Sequence, residues 1–310
     1  MSASRNRSLL GFLGFSLVVS LASGCGGGLS SAGSPSGSRA DVARGGRLYD
    51  NWISEKKLKD SFKPDSAKTP ELDGSGGPNG NGTLSDGTGK PLPNTGHDYR
   101  LKNLFGWDLR GGQGIYGASH QKKDYVLAQS LLEGARSEQQ LADWLKNGDA
   151  EVPAYGAVLD ERDLRDLAAF LVAVREHRVP RPDDVFTLDE SAPKNYKLLP
   201  GADPKRGAAT IAKRCSGCHG SKGTKFAIDD TESIGSISRS SAYEIWTKIA
   251  NGQPGSPMKS QLLASDGDGA QRGKLVLDIL AALCDRQAFP KLDNGSDVPD
   301  GDVRCGEYLR

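Results

Sequence analysis

The sequence predicts an all-α protein made of two tandem helical domains with long irregular loops. Matching helix signals recur in its two halves. Ser137-Glu138-Gln139-Gln140 and Ser241-Ala242-Tyr243-Glu244 each open an amphipathic segment, and both segments stop at Asn-Gly, Asn147-Gly148 and Asn251-Gly252. Each half then closes with an apolar-faced helix, and Gly- and Pro-rich stretches separate the periodic segments. A chain of 310 residues has room for about two domains.

Taken in order, the chain opens with a leader over residues 1–24. Arg5 and Arg7 supply its basic region, Leu9 to Leu21 an apolar run too short for a comfortable permanent span, and Ala22-Ser23-Gly24 a small-residue cleavage site. The end of this segment, L-A-S-G-C, resembles a bacterial lipoprotein signal, with Ala22 where leucine is usual. That resemblance implies lipidation of Cys25; an ordinary signal peptide cut nearby would instead leave Cys25 a free thiol. Residues 25–39, almost all Gly, Ser, Ala and Pro after the cysteine, read as a flexible tether whose start an acyl chain would anchor. Removing the two leader arginines from 40 basic residues leaves 38 against 39 acidic ones, about −1 overall. A nucleic-acid binder would show a basic stripe instead.

An amphipathic helix begins at Ala43 and runs through Arg47, Leu48, Tyr49, Asp50, Asn51 and Trp52. Residues 60–98, rich in Gly, Pro, Asn, Asp and Ser, mark a long surface insertion. In the segment opened by Ser137, Leu141, Trp144 and Leu145 form the apolar face. The closing helix of the first half runs from Glu161 to about His177, with Asp160 as N-cap, Leu159 and Leu164 as a hydrophobic staple, and Leu164, Leu167, Leu171 and Val174 on one face. Residues 181–202 carry Pro182, Pro193 and Pro200 and read as a linker. Asp203-Pro204 is an N-cap followed by proline at the first helical position; the helix from Lys205 sets Ala208, Ile211, Ala212 and Cys215 toward one side. The last helix runs from Lys274 to about Asp285, with Leu275, Ile279, Ala282 and Leu283 apolar.

The helix from Lys205 leads into Cys215-Ser216-Gly217-Cys218-His219, followed by Gly220. Two thiols three positions apart can each add across a vinyl group of protoporphyrin, and the histidine after them then lies against the iron. A C-x-x-C pair also occurs as half a zinc site or as a thioredoxin-like dithiol. Zinc would want a second Cys/His pair, and the dithiol a βαβ pattern; neither is visible. Once the leader is removed Met258 is the only methionine, on the turn-forming run Gly252-Gln253-Pro254-Gly255-Ser256-Pro257. A soft thioether on such a loop can close the far face of the iron, and His/Met ligation raises the reduction potential. The bland alternative is a methionine filling a gap in a core. Cys284 and Cys305 remain. Export to an oxidising compartment favours a disulfide between them over two separate thiols.

His97, His120 and His177 belong to no C-x-x-C and read as solvated or hydrogen-bonded histidines. No G-x-S-x-G, H-E-x-x-H or P-loop is present, so no catalytic residues are assigned and the chain is not read as an enzyme.

The pentapeptide and its downstream methionine resemble the class I cytochrome c domain, which implies one covalent haem c per chain in residues 203–310, held by Cys215, Cys218, His219 and Met258. In that resemblance Gly207 is the small residue that lets the first and last helices cross closely. The first half resembles a related group of cytochrome c domains whose site reads C-x-x-C-H-G-W-D after a G-x-L-Y-D-N-W helix. Here Gly46-Arg47-Leu48-Tyr49-Asp50-Asn51-Trp52 is followed by Arg100-Leu101-Lys102-Asn103-Leu104-Phe105-Gly106-Trp107-Asp108. Leu101 and Leu104 stand for the cysteines and Phe105 for the histidine. Val152, in Val152-Pro153-Ala154-Tyr155-Gly156, stands where an M-P-A-Y-G loop has its methionine. Neither leucine can form a thioether and phenylalanine cannot bind iron, so residues 40–180 are expected to be a degenerate, haem-less cytochrome c-like domain. Leu101, Leu104, Phe105 and nearby aromatics should fill the cofactor space, because close-packed interiors do not tolerate so large a void.

Both axial positions taken, one-electron transfer is the expected activity, with redox proteins as transient partners, a lipid anchor to a membrane, and a place in the periplasm or outer envelope. A cytochrome subunit of a larger membrane-associated oxidoreductase, and a haem-based ligand sensor in which Met258 dissociates, are the other functional readings.

Overall fold

Helix caps written into the sequence define most of the architecture. In the computed structural model, which describes residues 39–58, 84–92, 99–117, 126–228 and 230–310, the chain is mostly α-helical with one small antiparallel hairpin. The leader, most of the tether, Cys25, His97 and His120 lie outside the described residues. Among the described residues no helix is long and apolar enough to cross a membrane.

The first half contributes α1 (Val42–Glu55), α2 (Leu101–Phe105), α3 (Glu138–Asn147) and α4 (Glu161–Arg175). Ser137 and Gln140 close a reciprocal capping box at the start of α3, and Asp160 and Asp163 do the same for α4. The second half contributes α5 (Pro204–Arg214), α6 (Ser216–His219), α7 (Ile234–Asn251) and α8 (Gly269–Leu283). Two of these helices begin before the expected positions. Helix α7 starts at a Ser233–Ser236 capping box and continues through a break at Ser241 (φ −149°, ψ 41°), so the cap expected at Ser241 is a break inside a longer helix. Helix α8 starts at Gly269, where Asp268 and Gln271 cap each other, rather than at Lys274.

The stretch read as a linker is a packed element. Strands β1 (Phe186–Leu188) and β2 (Tyr196–Leu198) pair antiparallel, Phe186 opposite Leu198, and Val185, Phe186, Tyr196 and Leu198 are buried. The hairpin docks on the break in α7. Tyr196 OH accepts from Ala242 N at 2.9 Å, Lys194 Nζ donates to Ser241 Oγ at 2.6 Å, and Arg304 Nη1 donates to Ser240 O at 2.7 Å. The groups freed by the break are thereby satisfied. Cys284, at the end of α8, is joined to Cys305 by a disulfide with Cα atoms 6.0 Å apart, which holds Arg304 in this arrangement. Residues Ala40–Arg310 form one compact unit, and the 181–202 boundary falls inside it.

The two halves repeat the same construction. Helix α1 packs on α4 and α5 on α8. A Cβ on Gly45 would stand 1.9 Å from Asp166 O, and one on Gly207 would stand 1.9 Å from Asp278 O. Only glycine permits either crossing. At each crossing the N-cap aspartate donates its backbone N–H to the partner helix's carboxylate, Asp41 to Asp166 at 2.8 Å and Asp203 to Asp278 at 2.7 Å. Arg44 and Arg206, each three residues on, pair with the same two carboxylates.

Candidate cofactor-binding site

The apolar side of α5 fixes the direction in which the Cys-x-x-Cys-His segment leaves it. Asp203 caps α5 through Lys205 N and Arg206 N, Ile211 is buried, and Cys215 N continues the helix to Ile211 O at 2.8 Å. One turn, α6, then carries Cys218 and His219 and stops at Gly220 (φ 79°), a backbone conformation that glycine adopts without strain. Both thiols are free; Cys215 is half-buried and Cys218 exposed. His219 lies beside Phe226, ring centroids 4.8 Å apart. Burial lowers the pKa of the His219 imidazole from its ordinary value, which favours the neutral ring with a free lone pair, and raises that of the Cys215 thiol.

Arg214, directly before Cys215, holds the segment against the chain that follows Met258. It makes two 2.7 Å bonds to the Asp266 carboxylate and a third, at 2.8 Å, to Gln261 O. The hydrogen bond from Arg214 holds Asp266 below the usual carboxylate range. Met258 is half-buried on a short closed loop after α7. Gln253 N donates to Met258 O at 3.1 Å, Met258 N donates to Ser256 Oγ at 3.1 Å, and Gly252 bridges Lys259. Trp246, on α7, is fully buried, and its indole Nε1 has no hydrogen-bond partner among the described residues. Phe226 and Leu263, 47% and 49% exposed, are two of the three large hydrophobic side chains left open among the described residues.

The first half has a comparable glycine-ended turn with other side chains. Helix α2 also ends at a glycine, Gly106, whose φ of 75° and ψ of 157° match the 79° and 162° of Gly220. Counted back from the two glycines, Leu101, Leu104 and Phe105 stand at the places of Cys215, Cys218 and His219, and all three are buried. After α3, Asp149 N donates to Val152 O at 3.1 Å, as Gln253 N does to Met258 O. Val152 and Met258 therefore sit at matching points of two loops of unequal length. The first-half loop has no room to spare. Val152 and Tyr155 are fully buried, Phe105 packs on Trp144 at 6.0 Å, and Trp52 meets Tyr155 edge-on at 6.3 Å.

Sequence reasoning missed Arg214–Asp266 and Phe226 as parts of the site. Arg214 adjoins the motif, whereas Phe226 and Asp266 carry no periodic signal that would tie them to it. His177 lies just past α4, with Nε2 2.9 Å from Asp184 Oδ2, away from the motif in sequence and already partnered. Among the described residues no three His, Cys, Asp or Glu side chains gather as a metal-ion cluster. No family model, no curated protein and no solved structure matches the chain.

Proposed function

We propose that this chain is an exported electron-transfer protein carrying one covalently attached c-type haem in the second of two tandem cytochrome c-like domains, the first of which has lost its haem. The observation that carries the reading is the repeated frame: one copy presents Cys215, Cys218, His219 and Met258 where the other buries Leu101, Leu104, Phe105 and Val152.

The residues present fit the cofactor. Two free thiols on one turn would hold it by thioethers, and His219 and Met258 would supply the nitrogen and sulfur donors to its iron. Exposed Phe226, beside His219, and exposed Leu263 would gain an apolar partner. Haem bound on both faces supplies one-electron exchange and leaves no coordination position open to a substrate. Arg214 holds α6 against the segment after Met258, which keeps the two ligand-bearing stretches in fixed register. The Cys284–Cys305 disulfide fits an oxidising compartment, consistent with a periplasmic or outer-envelope protein anchored through lipid on Cys25. Redox proteins would be its transient partners.

The test is export of the full chain alongside a working haem-attachment system, followed by pyridine haemochrome analysis. One haem per polypeptide is expected, with none in Cys215→Ser/Cys218→Ser and an altered visible spectrum in Met258→Ala. A colourless product, or two haems per chain, overturns the reading.

A further inference from the structure

The loop bearing Met258 is held from outside by the half that lacks a haem motif. Asp50, Arg47, Ser54 and Glu55 all lie on α1, some two hundred residues away in sequence. Arg47, 6% exposed, donates from Nη1 to Asn251 O at 2.9 Å, which satisfies a carbonyl at the last residue of α7. Its Nε also donates to Glu55 Oε1 at 3.0 Å. The second oxygen of Glu55 accepts from Gly255 N at 3.2 Å, in the middle of the loop. Gly255 itself sits so close to α1 that a Cβ there would stand 2.6 Å from Ser54 O. Upstream, Lys248 of α7 pairs with buried Asp50. The counterpart loop in the first half is held differently. Ala154 N donates to Ser85 O at 2.8 Å and Gly87 N to Asp149 O at 2.9 Å, so its support comes from its own domain's insertion.

We propose that the haem-less half is a clamp on the Met258 loop, with Arg47 and Glu55 as positioning residues that hold the thioether ready to ligate. This inference rests on the haem reading above, and it gives the first half a task other than structural filling. The two contacts form one unit, since Glu55 joins Arg47 to Gly255 through its two oxygens. A shift of α1, such as docking of a redox partner on the first half would cause, would then pass directly to the loop.

The test uses the full-length holoprotein with Glu55→Ala, Arg47→Met and the conservative Glu55→Gln, which keeps an acceptor for Gly255 N. Two quantities are measured: the affinity of ferric protein for added imidazole, which competes with the thioether, and hydrogen exchange at Gln253, Gly255, Ser256 and Met258. With one haem per chain retained, Glu55→Ala and Arg47→Met should bind imidazole about tenfold more tightly and exchange these amides about tenfold faster, equivalent to about 1.4 kcal/mol of loop opening. Glu55→Gln, which keeps an acceptor for Gly255 N but loses the one for Arg47 Nε, should fall between the parent and Glu55→Ala. Parent-like imidazole affinity and exchange in both disruptive variants would overturn the clamp. If Met258→Ala leaves the parent's spectrum unchanged, ligation by Met258 fails. The exchange measurement still decides whether α1 holds the loop.

Discussion

Asp108 follows Trp107 in the first half and is fully buried, yet its Oδ1 has no hydrogen-bond partner among the described residues; Oδ2 accepts from Ile115 N at 3.0 Å. Burial pushes its pKa up to about 6 from 3.8, against the opposing pull of Ile115 N–H and Arg110. A carboxyl whose folded value is raised binds its proton more tightly in the native state. Its contribution is therefore complete below about pH 4 and is lost as pH rises through about 6. At 1.36 kcal/mol per unit the loss is about 3 kcal/mol. Asp108→Asn, which keeps an acceptor for Ile115 N–H, should raise stability at pH 7.5 by about 1–3 kcal/mol and flatten the pH dependence between 4 and 6. Denaturant unfolding at several pH values measures it; a less stable variant at pH 7.5 would refute this account. Asp50, also buried, behaves oppositely. Burial would raise it, but Lys102 and Lys248 together outweigh that and hold it below the ordinary carboxylate value. Two ammonium groups share one carboxylate here, and both lie over the Trp107 ring, at 4.0 Å and 5.1 Å.

Between elements, the glycine crossings and the disulfide are the points where one change should be felt most. Gly207→Ala places a methyl 1.9 Å from Asp278 O and forces α5 away from α8, the helix pair that orients the Cys-x-x-Cys-His turn. Thermal unfolding should show a loss of about 2–3 kcal/mol, as expected for overpacking against backbone. Gly45→Ala should do the same to α1 and α4. Replacing both Cys284 and Cys305 with serine opens a link spanning 21 residues and should cost about 3 kcal/mol by the chain-entropy account. The midpoint of guanidinium unfolding reads that cost, and an unchanged midpoint would show the tail to be held by other contacts. The elements differ in how readily the sequence disclosed them. Helices α3, α4 and α5 were legible because Ser137, Asp160 and Asp203 stand directly before apolar periods. Helix α8 hid its start because Asp268 and Gln271 lie among glycines. The first turns of α7 hid theirs because Ser236, Ser238 and Ser240 dilute the apolar pattern. Strands β1 and β2 were read as linker because three prolines surround two three-residue strands, too short to show alternation. The cysteines, His219 and Met258 form local signals. Arg47–Asn251 and Glu55–Gly255 join residues at least 200 positions apart, and no one-dimensional pattern records such pairs.

Across the whole molecule, the two halves repeat the glycine helix crossing and the glycine-ended turn, but Leu101, Leu104 and Phe105 are buried on the first turn, whereas Cys215 is half-buried and Cys218 exposed on the second. In the first half the space beside α2 is taken by Trp52, Phe105, Trp144, Val152 and Tyr155, and the Tyr155 hydroxyl is tied to Tyr99 O. A close-packed interior of this kind yields only if several side chains are removed together. Introducing the motif alone, as Leu101→Cys, Leu104→Cys and Phe105→His, therefore supplies the chemistry without the volume. The triple variant should keep one haem per chain when exported with the attachment machinery, and it should be several kcal/mol less stable, because three buried apolar side chains are lost from a filled core. Haem content by pyridine haemochrome and the thermal midpoint are read on the same preparation. Two haems per chain would mean that the first interior opens readily and that the motif residues alone keep haem out of it. One haem per chain, with the lowered midpoint, would place the exclusion of haem in the packing of the whole half, which under the proposed clamp is kept folded to hold the Met258 loop.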